Sequence, residues 1–201
     1  MTRKPSKSNP HRYRRPLLIA SLIVAISLVG VILYAVGDNP NRVALSMTAF
    51  FEIGIVSRDG QNVRFILPDQ SIGVPGGFMA TTRYLGDGIK GNYPMYSSPY
   101  SCGNIYGNST VCAISVLSRV VRSYTLGDFF AVWGVPLGPD ETLNAKFTSN
   151  MTGSPPEPDY SWTMCTFHAG KWLPSFEWGS HILVDKEVVL LDFGPQDYPC
   201  A

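Results

Sequence analysis

The residues best suited to chemistry in this sequence are two histidines, His168 and His181, because imidazole nitrogens bind metal ions. Met164 and Cys165 precede His168 and would suit copper. A disulfide at Cys165 and a buried Met164 explain the same pattern without a metal. Neither histidine has a third ligand at the spacing of a known metal motif. We therefore predict no metal site, with His168 and His181 as weak candidates.

Carboxylates and hydroxyls show no clearer catalytic pattern. Asp140 with Glu141, and Asp185 with Glu187, could act as acid and base, but both pairs stand in turn-like sequence where solvated charge is ordinary. The chain contains no GxSxG, CxxC or CxxCH motif. The sequence therefore predicts no enzyme activity, no catalytic residue and no cofactor.

The four cysteines, Cys102, Cys112, Cys165 and Cys200, all lie beyond a long apolar segment. An even number in this position fits two disulfides formed in an oxidising compartment. Of the three pairings that four cysteines allow, we favour Cys102 with Cys112, because glycine and asparagine between them favour a hairpin loop. Cys165 then pairs with Cys200.

The apolar segment is residues 17–36, which carry no charge. A helix of about 20 residues spans roughly 30 Å, the thickness of the hydrocarbon core of a bilayer. The tail 1–16 is basic, and Arg12, Arg14 and Arg15 are placed to bind anionic lipid. The positive-inside rule then predicts a single-pass cell-membrane protein with a cytoplasmic N-terminus and an extracytoplasmic remainder, periplasmic or extracellular.

Two alternatives concern this N-terminal part. Small residues at Ala35 and Gly37 suit a signal-peptide cleavage site, but the apolar core of a signal peptide is typically about 7–15 residues, so we favour the anchor. A basic tail can also bind RNA, yet beside a membrane helix lipid is the better partner, and we predict no nucleic-acid partner. Asn108 and Asn150 begin glycosylation sequons, which matter only in a host that glycosylates exported protein.

The exported part has ten Lys and Arg against fifteen Asp and Glu, a net charge of −5. Residues 37–45 form a linker, and 46–201 form one extracytoplasmic domain. Its many aromatic and β-branched residues predict a mainly β, α+β fold with one short helix. The predicted strands lie within 46–57, 62–67, 93–98, 111–124, 142–149, 160–168, 181–184 and 187–193. Asp59-Gly60 and Asp185-Lys186 are the predicted hairpin turns.

The short helix is predicted after Thr125. This threonine suits the N-cap, and Asp128 places negative charge near the positive end of the helix dipole. Gly134 and Pro136 end the helix. Its apolar face comprises Leu126, Phe129, Phe130 and Trp133. Aromatic residues at helical spacing typically cover a sheet, and strand, capped helix and further strands follow in the order of a β-grasp-like module.

The stretch YTLGDFFAVWG, Tyr124 to Gly134, resembles a poorly characterised family of exported domains of bacteria and archaea, tethered by an N-terminal helix. Leu67-Pro68 with Ile72-Gly73-Val74 is similar to the family's Ile-Pro-x-x-Ile-Gly-Ile pattern. Residues 162–194 are similar to its closing strands. The resemblance implies the fold. Family members often carry a His-x-His-Asp segment, but here Ser97, Ser98 and Ala113 cannot bind a metal, so no metal site is implied.

These observations predict a non-catalytic accessory or scaffolding subunit of a larger membrane-protein complex. The disulfide-tied exported domain would dock on the outer face of the complex, so the expected partners are the bilayer and other membrane-protein subunits. The alternative is a tethered domain that binds a metal ion or a small ligand.

Overall fold

The computed structural model describes residues 24–29, 42–57, 63–106, 109–143, 159–168, 170–195 and 200. The chain divides into two units, Met1–Pro40 and Asn41–Ala201. In the first unit, residues 24–29 are helical. The tail with Arg12, Arg14 and Arg15 and the remainder of the predicted span 17–36 lie outside the described residues. Within the described part of the chain, no helix is long and apolar enough to cross a membrane.

The second unit is built on a mixed sheet that has eight strands in the described residues. The strands are β1 Leu45–Val56, β2 Val63–Phe65, β3 Met95–Tyr96, β4 Cys102–Tyr106, β5 Ser109–Ser118, β6 Tyr160–His168, β7 Lys171–Pro174 and β8 Val188–Pro195. Their order is β3-β5-β1-β8-β6-β7, with β2 also paired to β1 and β4 also paired to β5. The predicted mainly β class is confirmed.

β1 is the centre of this sheet because it pairs with three strands. Leu45 to Phe51 run antiparallel to β5, and Gly54 to Val56 run antiparallel to β2. On the other edge, Phe50 to Ile55 run parallel to β8. The first and last strands of the domain are therefore neighbours in its middle.

Two predicted hairpins are present. β1 and β2 form the first, whose turn lies outside the described residues. β4 and β5 form the second, in which Cys102 lies opposite Cys112 and is disulfide-bonded to it. Cys165 is bonded to Cys200, so the favoured disulfide pairing is confirmed. The sequons at Asn108 and Asn150 lie outside the described residues.

Helix α1, Leu126–Trp133, begins with a reciprocal capping box. The Thr125 hydroxyl accepts a hydrogen bond from the Asp128 amide at 3.1 Å, and the Asp128 carboxylate accepts one from the Thr125 amide at 3.1 Å. Two donors that a helix start leaves unsatisfied are thereby paired. Gly134 ends the helix with φ 83°, a left-handed conformation that glycine adopts without steric cost.

The apolar face of α1 lies on the sheet. Phe51 of β1 contacts Phe129 and Trp133, with ring centroids 5.4 Å and 6.3 Å apart. All four side chains of the predicted face are buried: Leu126, Phe129, Phe130 and Trp133. Each such burial stabilises the fold by about 1.5–3 kcal/mol. A helix of this length is marginal by itself, so packing on the sheet holds it.

The predicted hairpin of residues 181–184 with 187–193 is wrong. Ile182 forms an isolated antiparallel bridge with Thr125, and β8 pairs with β1 and β6 instead. The amide of Leu126 donates to the carbonyl of His181, and the amide of Leu183 donates to the carbonyl of Tyr124. The backbone of residues 181–184 thus hydrogen-bonds to the backbone of the chain that enters α1. It is not available to β8.

Two further strand predictions differ from the structure. The strand predicted over 111–124 ends at Ser118, because the next residues turn away: the Arg119 amide donates to the Asp87 carbonyl. Thr142 and Leu143 are not in a strand, and 144–149 lie outside the described residues. Strand propensity in these stretches does not decide their pairing, because tertiary contacts override it.

Substitution of Gly127 tests the seating of α1. A Cβ at Gly127 would lie 2.5 Å from the carbonyl oxygen of Gly179, whereas a Cβ at Gly179 would lie no closer than 3.7 Å to the Gly127 backbone. We expect Gly127→Ala to lower the free energy of unfolding by about 1–3 kcal/mol through overpacking, although alanine is the better helix former by about 1 kcal/mol. Urea unfolding followed by tryptophan fluorescence measures this.

Gly179→Ala is the matched control for this substitution. It should change the free energy of unfolding by less than about 0.5 kcal/mol, as surface substitutions do. Equal destabilisation by the two variants would contradict the close approach of α1 to residues 178–180.

Candidate functional site

The most concentrated polar cluster that the structure describes surrounds His181. Its Nδ1 lies 3.0 Å from a carboxylate oxygen of Glu177, and its Nε2 lies 3.0 Å from a carboxylate oxygen of Glu187. His181 is 7% exposed. The Glu187 side chain is 11% exposed and that of Glu177 is 64% exposed. Water therefore screens the contact of His181 with Glu187 less than its contact with Glu177.

Both ring nitrogens of His181 face acceptors, and a neutral imidazole can donate from one nitrogen only. The imidazolium form satisfies both contacts. The hydrogen bond to Glu187 raises the pKa of His181 above its usual value, the charges of both glutamates add to the rise, and burial opposes it. The geometry of this cluster therefore suits a protonated histidine between two carboxylates.

This arrangement does not form a metal site. The two carboxylates lie on opposite ring nitrogens, so the three groups do not converge on one point, and a protonated nitrogen cannot bind a metal. Within the described residues, no group of three or more histidine, cysteine or carboxylate side chains could hold a metal ion. The other predicted candidate, His168, ends β6, and its side chain lies outside what the structure describes.

The second polar feature is a pair of carboxyl groups buried in the sheet. Glu52 of β1 is 4% exposed and Asp192 of β8 is 6% exposed. Asp192 is paired with Gly54, and Glu52 with Leu190, so both residues belong to the sheet face opposite α1. Sequence reasoning missed them, although each is a single charge inside an otherwise apolar strand, FFEIGIV and VVLLDFG.

Burial raises the pKa of Asp192 to about 6. Its Oδ1 is buried and has no hydrogen-bond partner among the described residues. A buried polar atom in this state carries a free-energy cost. Strongly shifted carboxyls in proteins often mark functional sites, although structural burial shifts them too.

A half-open cavity of about 420 Å³ lies where β1 begins. Its lining residues are Val43, Ile89, Lys90, Asn92, Tyr93, Tyr96 and Leu117. Lys90 and Gly91 both have positive φ, 56° and 80°, which fixes the turn that carries the lysine. A cavity with apolar walls, phenol and amide groups and one cation suits a small amphiphilic or anionic molecule.

The edge of the sheet at β7 exposes apolar side chains. Leu173 is 47% exposed, and Phe176, just after the strand, is 85% exposed. β7 pairs with β6 on one side. On its other side, no strand of the described residues pairs with it. An open strand edge beside an exposed aromatic ring can accept another chain.

The histidine cluster predicts a pH dependence. Because the folded-state pKa of His181 is raised, its stabilisation is fully present below pH 6.5 and is lost as pH rises through the folded-state pKa. Glu187→Gln removes the largest cause, so we expect the pKa of His181 to fall. Glu177→Gln should lower it less, since that side chain is largely exposed. NMR titration of the imidazole distinguishes them, and a larger effect of Glu177→Gln would contradict the assignment.

Asp192 predicts a second pH effect of the same direction. Its folded-state pKa is raised, so ionisation destabilises the fold as pH rises from about 4 through about 6, by about 3 kcal/mol in all. We expect Asp192→Asn to raise the free energy of unfolding at pH 8 by about 1–3 kcal/mol, and by only about a third as much at pH 4.5. Asp140→Asn, at an exposed site, is the control. No gain at pH 8 would show that a partner stabilises the Asp192 carboxylate.

Comparison with known proteins assigns no role to these residues. The chain has no significant match among protein-family models, curated proteins or solved structures. The family resemblance of Tyr124 to Gly134 stays a prediction, and the chemistry of each site above rests on its own geometry.

Proposed function

We propose that this protein is a non-catalytic accessory subunit of a larger membrane-protein complex. Residues 17–36 anchor it as a single-pass protein of the cell membrane, with the basic tail in the cytoplasm and the sheet domain outside. The length of the apolar segment, the basic residues before it and the placement of both disulfides beyond it support this topology.

The observation that carries the docking role is the exposed ring of Phe176 beside the open edge of β7. Large aromatic side chains are enriched at the centres of protein interfaces and supply much of the binding energy there. At 85% exposure, this ring has almost all of its surface in water. Pro174 ends the strand and Lys171 begins it, and both residue types limit uncontrolled pairing of edges. These two residues therefore limit self-association along the edge and leave the ring of Phe176 as the main docking contact.

The finer fold that we propose is β-grasp-like. Parallel first and last strands in the middle of the sheet, antiparallel neighbours on both sides and one helix across a face support this assignment. A fold does not define a function. The same scaffold serves here as a stiff support for the edge.

A second candidate function is the binding of a small amphiphilic ligand in the cavity beside Lys90. The lining residues favour it, since the partly exposed Asn92 and Tyr96 lie next to apolar walls. Metal binding, the other form of this alternative, is disfavoured because each ring nitrogen of His181 already contacts a glutamate carboxylate.

Replacement of Phe176 tests the docking role. We expect Phe176→Ser to weaken retention of the partner by at least about 30-fold, the effect of losing an interface hot spot of about 2 kcal/mol. The measurement is the native mass of the full chain extracted from its own membrane in mild detergent. Tyr100→Ser is the matched control, because Tyr100 is 98% exposed and precedes β4 near the opposite edge of the sheet. A wild-type chain that always runs by itself would contradict the proposal.

A further inference from the structure

We propose that the end of the domain where β1 begins lies on the phosphate headgroups of the bilayer that anchors the chain. We call it the anchor-end surface and define it by Val43, Lys90, Arg119, Val120, Val121 and Arg122. The inference goes beyond the docking role but rests on the proposed anchor. It assigns a lipid-binding surface to residues that are distant from the β7 edge in the order of the sheet.

These residues form one surface. The amide of Ala44 donates to the carbonyl of Ser118 at 2.7 Å, which places Val43 beside Arg119. Val43 and Lys90 line the same cavity. Arg119 and Arg122 both reach Asp87, the first through its amide at 2.8 Å and the second through a salt bridge of 3.2 Å.

The anchor-end surface combines exposed apolar groups with cations, as residues at a membrane interface do. Val121 is 78% exposed, Val43 48% and Val120 41%. Lys90, Arg119 and Arg122 are all exposed. Asp87 pairs with Arg122. In the described residues, neither Lys90 nor Arg119 has a carboxylate within salt-bridge distance, so both are available for phosphate.

The short linker between the predicted span and Val43 limits the distance between this surface and the membrane. Val43 stands seven positions after Val36, the last residue of the predicted span. Seven extended residues reach at most about 25 Å. The headgroup layer itself occupies roughly 5–7 Å of that distance on each side of the bilayer. Val43 therefore stays within about 20 Å of the headgroup layer, and a shorter path of the linker lets the anchor-end surface touch it.

The charge distribution of the domain favours an orientation in which the anchor-end surface faces the bilayer. The exported part carries a net charge of −5, so an anionic bilayer repels most of its surface. The anchor-end surface is locally basic, with Lys90, Arg119 and Arg122 beside Asp87, and can therefore approach such a bilayer. Tethering raises the effective concentration of the lipid surface, and weak contacts therefore suffice.

The experiment uses the purified full chain in proteoliposomes with the domain on the outside. Hydrogen exchange of residues 119–122 is compared between vesicles of phosphatidylcholine with a quarter phosphatidylglycerol and neutral detergent micelles. We expect exchange at least five-fold slower in the anionic vesicles, with the protection lost in 0.5 M salt. Equal exchange in vesicles and micelles would overturn the inference, and so would protection that appears only in native membranes, since a protein partner would then cover the surface.

Charge reversal provides the matched variants. Lys90→Glu with Arg119→Glu should abolish the protection, whereas Arg64→Glu, opposite Ile55 at the far end of β1, should preserve it. Protection that survives the double substitution would overturn the inference. Alkaline carbonate extraction separates this result from the proposed function: release of the wild-type chain contradicts the anchor and both proposals, while a retained chain without protection contradicts the lipid contact alone.

Discussion

The parallel pairing of β1 with β8 joins the first and last strands of the domain and places both in the interior of the sheet. Two parallel strands need a long crossover connection between them. Here that connection contains every described strand and helix between β1 and β8. Phe51 of β1 lies under α1 for this reason. The position of the helix, and with it the core, depends on this pairing.

The same pairing decides where polar chemistry can occur. α1 covers one face of the sheet with aromatic side chains. Asp192 is carried by β8 to the other face, where burial raises its pKa to about 6. His181 and Glu187 lie in the connection just before β8, and their contact closes that connection over the start of α1. Both features weaken the fold as pH rises: the Asp192 carboxyl does so between about pH 4 and 6, and the His181 cluster above pH 6.5.

The two binding surfaces that we propose are the β7 edge of the sheet and the anchor-end surface. The β7 edge offers backbone groups and the ring of Phe176, while the anchor-end surface offers cations beside valines. The two surfaces suit different partners because one is apolar with an open strand edge and the other is basic. A domain anchored as we propose could contact lipid at one place and a protein subunit at another.

Local signals in the sequence were sufficient to predict the elements whose contacts lie within a short stretch of chain. Thr125, Asp128 and Gly134 determine the limits of α1 within ten positions, and the loop between Cys102 and Cys112 determines the second hairpin. The burial of Phe129 and Trp133 follows from their spacing. These elements were predictable because each depends on residues that are neighbours along the chain.

Tertiary structure decided the rest. The pairing of β1 with β8 joins residues about 138 positions apart, Phe50 with Val188, and no local pattern favours it over the hairpin that was wrongly predicted at 181–193. The burial of Glu52 and Asp192 and the contact of His181 with Glu187 follow from that pairing. Sequence by itself determined which residues are apolar, capped or charged. Only the folded sheet decided which charges lost their water, because desolvation depends on neighbours that the chain brings together from far apart.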